Sequence, residues 1–100
     1  MTGPIRVVAA LRAQPGKGAE LLELWPSLAE QVRAEDGCLA YDLHRVAGDD
    51  DRFVVLERWA SLDALEAHRV APHMKSFGRS AAGLMGGAPE VTVLEDVPAV

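Results

Sequence analysis

Cysteine, clustered basic residues and long apolar stretches are all scarce in this 100-residue sequence, and each shortage excludes a class of protein. The single cysteine, Cys38, excludes an intrachain disulfide framework and a zinc site built from cysteines, and it suits a reducing compartment. The formal charge is -5 and the lysines and arginines are scattered, so nucleic acid is not an expected partner. No apolar run approaches the ~18 residues of a membrane span. We therefore expect a cytoplasmic protein without nucleic-acid or membrane partners.

The hydrophobic content of the chain is sufficient for one packed core. Hydrophobic residues make up 49% of the sequence, and its length is ordinary for one domain. Residues 5–13 are too short a run for a signal-peptide core, and Arg6 and Arg12 interrupt them. No linker or internal repeat is visible, so we expect a single domain over residues 1–100.

The first half of the chain alternates between strand and helix patterns. Residues 5–12 show the period of two that is typical of a strand, and residues 19–34 repeat apolar positions at helical spacing. Two further strand-like runs, 38–46 and 52–60, flank the acidic, turn-forming segment 47–51. These two runs predict a hairpin.

The second half completes a regular plan. Ser61 can cap the next helix, and Pro72 either ends that helix or begins another. Residues 90–97 predict a last strand. The order is βαββα(α)β, which indicates an α+β domain of the ferredoxin-like class: one four-stranded antiparallel sheet with its helices on one face.

The third strand carries large apolar side chains on both of its faces. Phe53, Val55 and Trp59 point one way, and Val54 and Leu56 point the other way. Helices on one face would leave the second group exposed to water, at a cost of about 1.5–3 kcal/mol for each large side chain. A second copy of the sheet can cover that face, so we expect a homodimer.

Three sequence segments resemble the antibiotic biosynthesis monooxygenase family of dimeric α+β barrels. They are "GCLAYDLHR", "FVVLERWASLDALEAH" and "APHM", and the resemblance is strongest over residues 37–77. It implies the ferredoxin-like fold, assembly as a dimeric α+β barrel, and a cavity between sheet and helices. Members that this chain resembles include cofactor-independent monooxygenases that form quinones, enzymes that degrade haem, and isomerases.

The family resemblance also implies particular site residues. In the quinone-forming branch a histidine near the end of the second strand and a tryptophan near the end of the third line the cavity, and His44 and Trp59 match them. That branch also has an asparagine earlier on the third strand, where this chain has Val55. The haem-degrading branch uses an asparagine on the first strand. This sequence contains no asparagine, which disfavours haem degradation.

A ligand pocket is expected where the third strand meets the helices. His68 lies on the apolar face of its helix, where it can be either a hydrogen-bonded core residue or a pocket residue. Glu57 shares a strand face with Trp59 and needs a partner if it is buried, for which His68 or an arginine could serve. Arg79 is a candidate donor to an anionic oxygen species. The predicted lining consists of His44, Val55, Trp59, Leu65, His68, Met74 and Phe77.

The predicted chemistry is oxidation of a small aromatic substrate by O2 without a cofactor. Electron-rich phenols and hydroquinones reduce O2 once they are deprotonated, so the protein supplies a base and a dry pocket. Histidine is the natural base near neutral pH. We expect His44 to be that base, with His68 next and Trp59 stacking on the ring. No cofactor is expected, and no metal site either, because His68 and His73 do not have the i,i+4 spacing of a helical zinc motif.

Two other functions fit the same sequence. Dimeric α+β barrels also occur as ligand-sensing domains, and this chain could bind an aromatic metabolite without changing it. A sensor usually carries an output domain, for which this chain has no spare length, so the enzyme interpretation is favoured. An isomerase or lyase on the same scaffold is the third interpretation.

Overall fold

Four strands and three helices lie within residues 3–98, which are the residues described by this computed structural model. They are β1 (Ile5–Arg12), α1 (Gly18–Arg33), β2 (Cys38–Arg45), β3 (Arg52–Trp59), α2 (Leu62–Arg69), α3 (Pro72–Ala81) and β4 (Glu90–Glu95). This order confirms the predicted one. None of the helices among these residues is long and apolar enough to cross a membrane.

The strands form one antiparallel sheet in the order β2-β3-β1-β4. The two central strands are β1 and β3, each of which is the first strand of a βαβ half. This is the ferredoxin-like arrangement. Glu57 on β3 pairs with Val7 on β1 and with Tyr41 on β2. These three residues therefore form a row across one face of the sheet. The predicted α+β fold class is confirmed.

The core lies between this face and the helices. Phe53, Val55 and Trp59 are buried on it, as predicted. Helix α1 supplies a complementary apolar stripe because its buried positions recur at helical spacing. That stripe consists of Leu21, Trp25, Leu28, Ala29 and Val32.

The helices begin where the sequence has suitable residues, with one exception. The Ser61 hydroxyl accepts a hydrogen bond from the Ala64 N–H at 3.1 Å and caps α2, as predicted, and Pro72 is the first residue of α3. Helix α1 has no side-chain cap from its own N-cap residue. Instead, the Asp51 carboxylate accepts hydrogen bonds from the N–H groups of Gly16 and Gly18, both at 2.9 Å. Asp51 lies at the end of the acidic, turn-forming segment 47–51, and it therefore has a role beyond the turn itself.

Within residues 3–98, no helix packs against the opposite face of the sheet, which carries the second apolar group. Val8 and Val54 are partly exposed there, Leu56 is 46% exposed and Leu94 is 42% exposed. Their β-pairing places all four on the side away from the core. We call this surface, defined by these four residues, the open face.

Candidate functional site

A cavity of about 370 Å³ lies between the helices and the core side of the sheet. This volume is in the range of small-molecule sites, roughly 300–1,000 Å³. Most of its lining is apolar and comes from every strand and helix. The ionisable side chains of the lining are Tyr41, Glu57, His68 and Arg69.

Aromatic rings from three different elements form one side of the cavity. Trp25 of α1 stacks on Tyr41 of β2, with ring centroids 5.5 Å apart and planes within 4°. Phe77 of α3 meets Trp25 edge to face at 5.8 Å. Such rings offer flat apolar surfaces and fixed geometry, which suits an aromatic ligand.

A carboxylate and two histidines meet beside this aromatic group. Glu35 Oε2 lies 2.9 Å from His68 Nδ1 and 2.7 Å from His73 Nε2. The three side chains are 13%, 6% and 17% exposed, respectively. We call Glu35, His68 and His73 the carboxylate–histidine cluster.

The backbone near Gly37 brings Glu35 into this cluster. Glu35 follows α1, and its carbonyl accepts a hydrogen bond from the Cys38 N–H at 3.1 Å, which turns the chain into β2. Gly37 in this turn has a φ of +81°, and a Cβ there would lie 2.6 Å from the Ala64 methyl of α2. Glycine is therefore required for both the turn and the close approach to α2.

His68 is held on one ring nitrogen and lines the cavity. Its Nδ1 bonds Glu35, and no residue of 3–98 hydrogen-bonds its Nε2. The ring packs 4.6 Å from Trp59 and 5.7 Å from Tyr41. A carboxylate on Nδ1 selects the tautomer that leaves the Nε2 lone pair free.

Glu57 places a carboxyl group in the cavity lining. It is 8% exposed and accepts a hydrogen bond from the Trp59 indole N–H at 2.9 Å. Burial raises the pKa of Glu57, although the Trp59 N–H and the nearby His68 act in the opposite direction. The expected partners of Glu57, His68 or an arginine, are wrong as hydrogen-bond partners among residues 3–98, because Glu57 bonds Trp59 and His68 bonds Glu35.

Two other weak acids near the cavity favour their protonated forms. Burial, followed by the charges of Glu57 and Glu35, raises the pKa of Tyr41. Burial and the Glu35 charge also raise the pKa of the Cys38 thiol. Neither group is therefore set up as a nucleophile or base near neutral pH.

The structure brings most of the predicted pocket residues together. Val55, Leu65, His68, Met74 and Phe77 all line the cavity.

Two predicted residues do not reach the cavity surface. Trp59 is fully buried and supports His68 and Glu57 instead of forming the lining. Arg79 is exposed and outside the lining, and the arginine that does line the cavity is Arg69.

The prediction that His44 lines the cavity with Trp59 is wrong. Tyr41 and Leu43 of β2 face the helices, and His44, one residue further along a strand with a period of two, faces the other way. His44 pairs with Val54 and is exposed on the side of the sheet that carries the open face. Its ring is therefore separated from the cavity by the sheet itself.

Glu35 and the aromatic pair Trp25 and Tyr41 are site residues that were not predicted from the sequence. The apolar spacing in α1 predicted that Trp25 is buried, and the alternation of β2 could have placed Tyr41 on the same face as Leu43. No local signal points to Glu35, because its partners lie 33 and 38 positions further along the chain.

Comparison with known proteins agrees with the fold. The family model for antibiotic biosynthesis monooxygenase matches residues 4–80. "Putative monooxygenase Rv0793" from Mycobacterium tuberculosis is 36% identical over 94 residues, covering 94% of this chain and 92% of that protein. "Probable quinol monooxygenase YgiN" from Escherichia coli is 30% identical over 89 residues, covering 79% of this chain and 86% of that protein.

Solved structures share the same architecture. The crystal structure of a "putative antibiotic biosynthesis monooxygenase" from Caulobacter crescentus superposes with a TM-score of 0.88 at 39% identity, covering 96% of this chain and 92% of that one. The fold and its helix-covered cavity define a ferredoxin-like α+β protein with a ligand-sized site. The chain belongs to the antibiotic biosynthesis monooxygenase family.

Proposed function

We propose that this protein is a cofactor-independent monooxygenase that oxidises a small electron-rich aromatic substrate, a phenol or hydroquinone, with O2. The observation that carries the proposal is the buried Glu35–His68 hydrogen bond of 2.9 Å at the wall of an aromatic-lined cavity. The names of the relatives, "Putative monooxygenase Rv0793" and "Probable quinol monooxygenase YgiN", support the reaction class.

His68 is the proposed base. With its Nδ1–H donated to the Glu35 carboxylate, the lone pair on Nε2 can accept the proton of a phenolic hydroxyl in the cavity. Glu35 then stabilises the imidazolium that forms, because its carboxylate accepts the proton on the other ring nitrogen and holds the ring in orientation. This assignment replaces His44, which lies across the sheet.

The remaining steps draw their electrons from the substrate. The phenolate passes one electron to O2, and the resulting phenoxyl radical and superoxide combine at a ring carbon to form a C–O bond. The peroxide takes up the proton held by His68. The ring carbon then loses its hydrogen as a proton while the O–O bond breaks and hydroxide leaves, and the proton and hydroxide form water. The overall reaction converts phenol plus O2 to quinone plus water. The apolar walls exclude bulk water during these steps.

The rings of Trp25, Tyr41 and Phe77 would hold the substrate, because stacking and edge contacts suit a flat aromatic molecule. Glu57, whose carboxyl group lines the cavity, can hydrogen-bond a second hydroxyl of a hydroquinone.

The decisive experiment compares His68→Ala with His44→Ala in oxygen consumption against a panel of phenols and hydroquinones. We expect His68→Ala to lower turnover by about 10²-fold or more, and His44→Ala to leave it close to the unmodified protein. The reverse result would return the base to His44.

The same panel distinguishes the alternative functions. Ligand binding without oxygen uptake or product would favour a binding module. A product with the same mass as the substrate, formed without oxygen uptake, would favour an isomerase.

A further inference from the structure

We propose that the carboxylate–histidine cluster binds one divalent transition-metal ion, and that this ion switches off the proposed base. The ligands are Glu35 Oε2, His68 Nδ1 and His73 Nε2, which lie within 4.8 Å of one another. Binding itself does not depend on the proposed function. The effect on turnover rests on it.

The donor set matches the preference of such ions. Two imidazole nitrogens and one carboxylate oxygen are the protein ligands of many zinc sites that keep one position open, and of non-haem iron sites. They favour Zn²⁺ and its neighbours over Mg²⁺ or Ca²⁺, which prefer oxygen ligands. One carboxylate and two neutral imidazoles also leave a net positive charge at the ion, which can hold a water molecule or an anion.

The ligand atoms are close enough to converge on one ion. Zinc binds nitrogen at about 2.0–2.1 Å, so in a tetrahedral site two nitrogen ligands lie roughly 3.3 Å apart, and the three ligand atoms here lie within 4.8 Å of one another. The carboxylate oxygen already lies 2.9 Å and 2.7 Å from these nitrogens. Small side-chain rotations that move the two rings off Glu35 Oε2 would open space for the ion.

The surroundings hold the ligands in place and leave a route of entry. His68 is near the end of α2 and His73 is near the start of α3, and the Ala71 N–H donates to the His68 carbonyl at 3.1 Å, which fixes the short connection between the helices. His73 also lines a shallow groove between α1 and α3 that contains the polar residues Ser27 and Ser76. An ion can therefore reach the cluster from this groove without passing through the substrate cavity.

Occupancy would change the chemistry of His68. A neutral imidazole that binds a metal through Nδ1 carries its proton on Nε2. The Nε2 lone pair that the proposed reaction needs is then absent. The ion would therefore inhibit turnover instead of supporting it.

Binding is tested on the untagged, metal-free protein by calorimetric titration with Zn²⁺ and by the visible absorption of bound Co²⁺. We expect one ion per chain. Glu35→Gln and His73→Ala should each weaken binding by at least about 10-fold, since each removes a ligand. His44→Ala is the matched control, because it removes a histidine outside the cluster, and it should bind as the unmodified protein does.

Thermal unfolding adds a readout that does not depend on activity. Zn²⁺ should raise the unfolding temperature of the unmodified protein and of His44→Ala, and should raise that of His73→Ala much less. Circular dichroism of each variant shows whether it is folded. The metal site is refuted if Zn²⁺ does not saturate at one ion per chain, or if folded His73→Ala and Glu35→Gln bind it as tightly as the unmodified protein.

Turnover with and without Zn²⁺ tests the second half of the proposal separately. Inhibition that follows the binding curve supports the switch. If Zn²⁺ binds at the cluster and turnover is unchanged or increased, the site stands and the switch is wrong. If no substrate is turned over, the proposed function fails, and the binding experiments still decide the metal site.

Discussion

Glu35 is the residue on which the site depends most, because one of its carboxylate oxygens holds two imidazole rings. Glu35 is absent from the cavity lining, so it would not touch a substrate bound there. Glu35 therefore acts through His68 and is a positioning residue for the proposed reaction.

Replacing Glu35 by glutamine tests that role. The change keeps an oxygen acceptor and removes the charge that stabilises a protonated His68, so we expect turnover to fall by about 10-fold or more with little change in KM. Steady-state kinetics in the presence of a chelator measures both constants without interference from metal. Glu35→Asp, which keeps the charge, should recover part of the loss. A large rise in KM with unchanged kcat would show instead that Glu35 serves substrate binding.

The pKa of Glu57 gives a second prediction at this scale. Burial raises it above the ordinary value, so the folded protein binds the proton more tightly than the unfolded chain does. The stability associated with the protonated form is fully present below the unfolded value, near 4.5, and is lost as pH rises through the folded value. Glu57 therefore lowers the stability of the folded state at neutral pH relative to acid pH.

Glu57→Gln should remove this loss, because glutamine stays uncharged and can still accept the Trp59 N–H. We expect the variant to gain stability over the unmodified protein, and this gain in the free energy of unfolding should be larger at pH 7 than at pH 4, as measured by urea unfolding. Glu30→Gln, which changes an exposed carboxylate on α1, should show no such difference. Equal effects of Glu57→Gln at the two pH values would contradict the prediction.

The residues of the site could be predicted only in part. The alternation of β3 correctly placed Val55 and Trp59 on the core side, because a strand with large apolar groups has a strict period of two. The prediction that His44 lines the cavity rested on its place in a family motif, which does not determine the face of β2 on which the side chain lies. Applying the period from Tyr41 would have placed His44 on the opposite side.

At the scale of elements, the predicted order was confirmed because turn residues separate strongly periodic segments. Proline begins α3, and a serine caps α2. Positive-φ glycines occupy turns: Gly37 between α1 and β2, and Gly48 between β2 and β3. These signals are local in sequence. The cap of α1 is different, because Asp51 is supplied from a loop 33 positions after Gly18, and only the assembled sheet brings the two together.

Removing this long-range cap should destabilise the fold. Asp51→Ala leaves the N–H groups of Gly16 and Gly18 without their acceptor, and we expect a loss of about 1–2 kcal/mol in the free energy of unfolding. Asp50→Ala changes the exposed neighbour in the same loop and should have a small effect. Urea unfolding of both variants measures the difference. Equal stability of the two would show that the Asp51 hydrogen bonds contribute little.

At the scale of the whole molecule, the two faces of the sheet differ in how much of their apolar surface is covered. One face is covered by helices and encloses the cavity, while the open face leaves Leu56 and Leu94 nearly half exposed. Exposed apolar surface of this kind on a sheet usually marks a contact with another protein. The sequence predicted the apolar character of both faces, and assembly into a dimer stays a prediction.

We expect a homodimer in which the open faces of two copies pack together, with a mass of about 21 kDa, twice the 10.7 kDa of the chain. Leu56→Lys would place two charges in this contact and should shift the protein to monomer at micromolar concentration, because a buried unpaired charge is strongly unfavourable. Val70→Lys is the matched control: it adds the same charge at an exposed apolar position at the end of α2. Light scattering measures the mass of each protein, and circular dichroism checks that both variants fold. A monomeric unmodified protein, or a Leu56→Lys protein that stays dimeric, would mean that the open face is not the contact between copies.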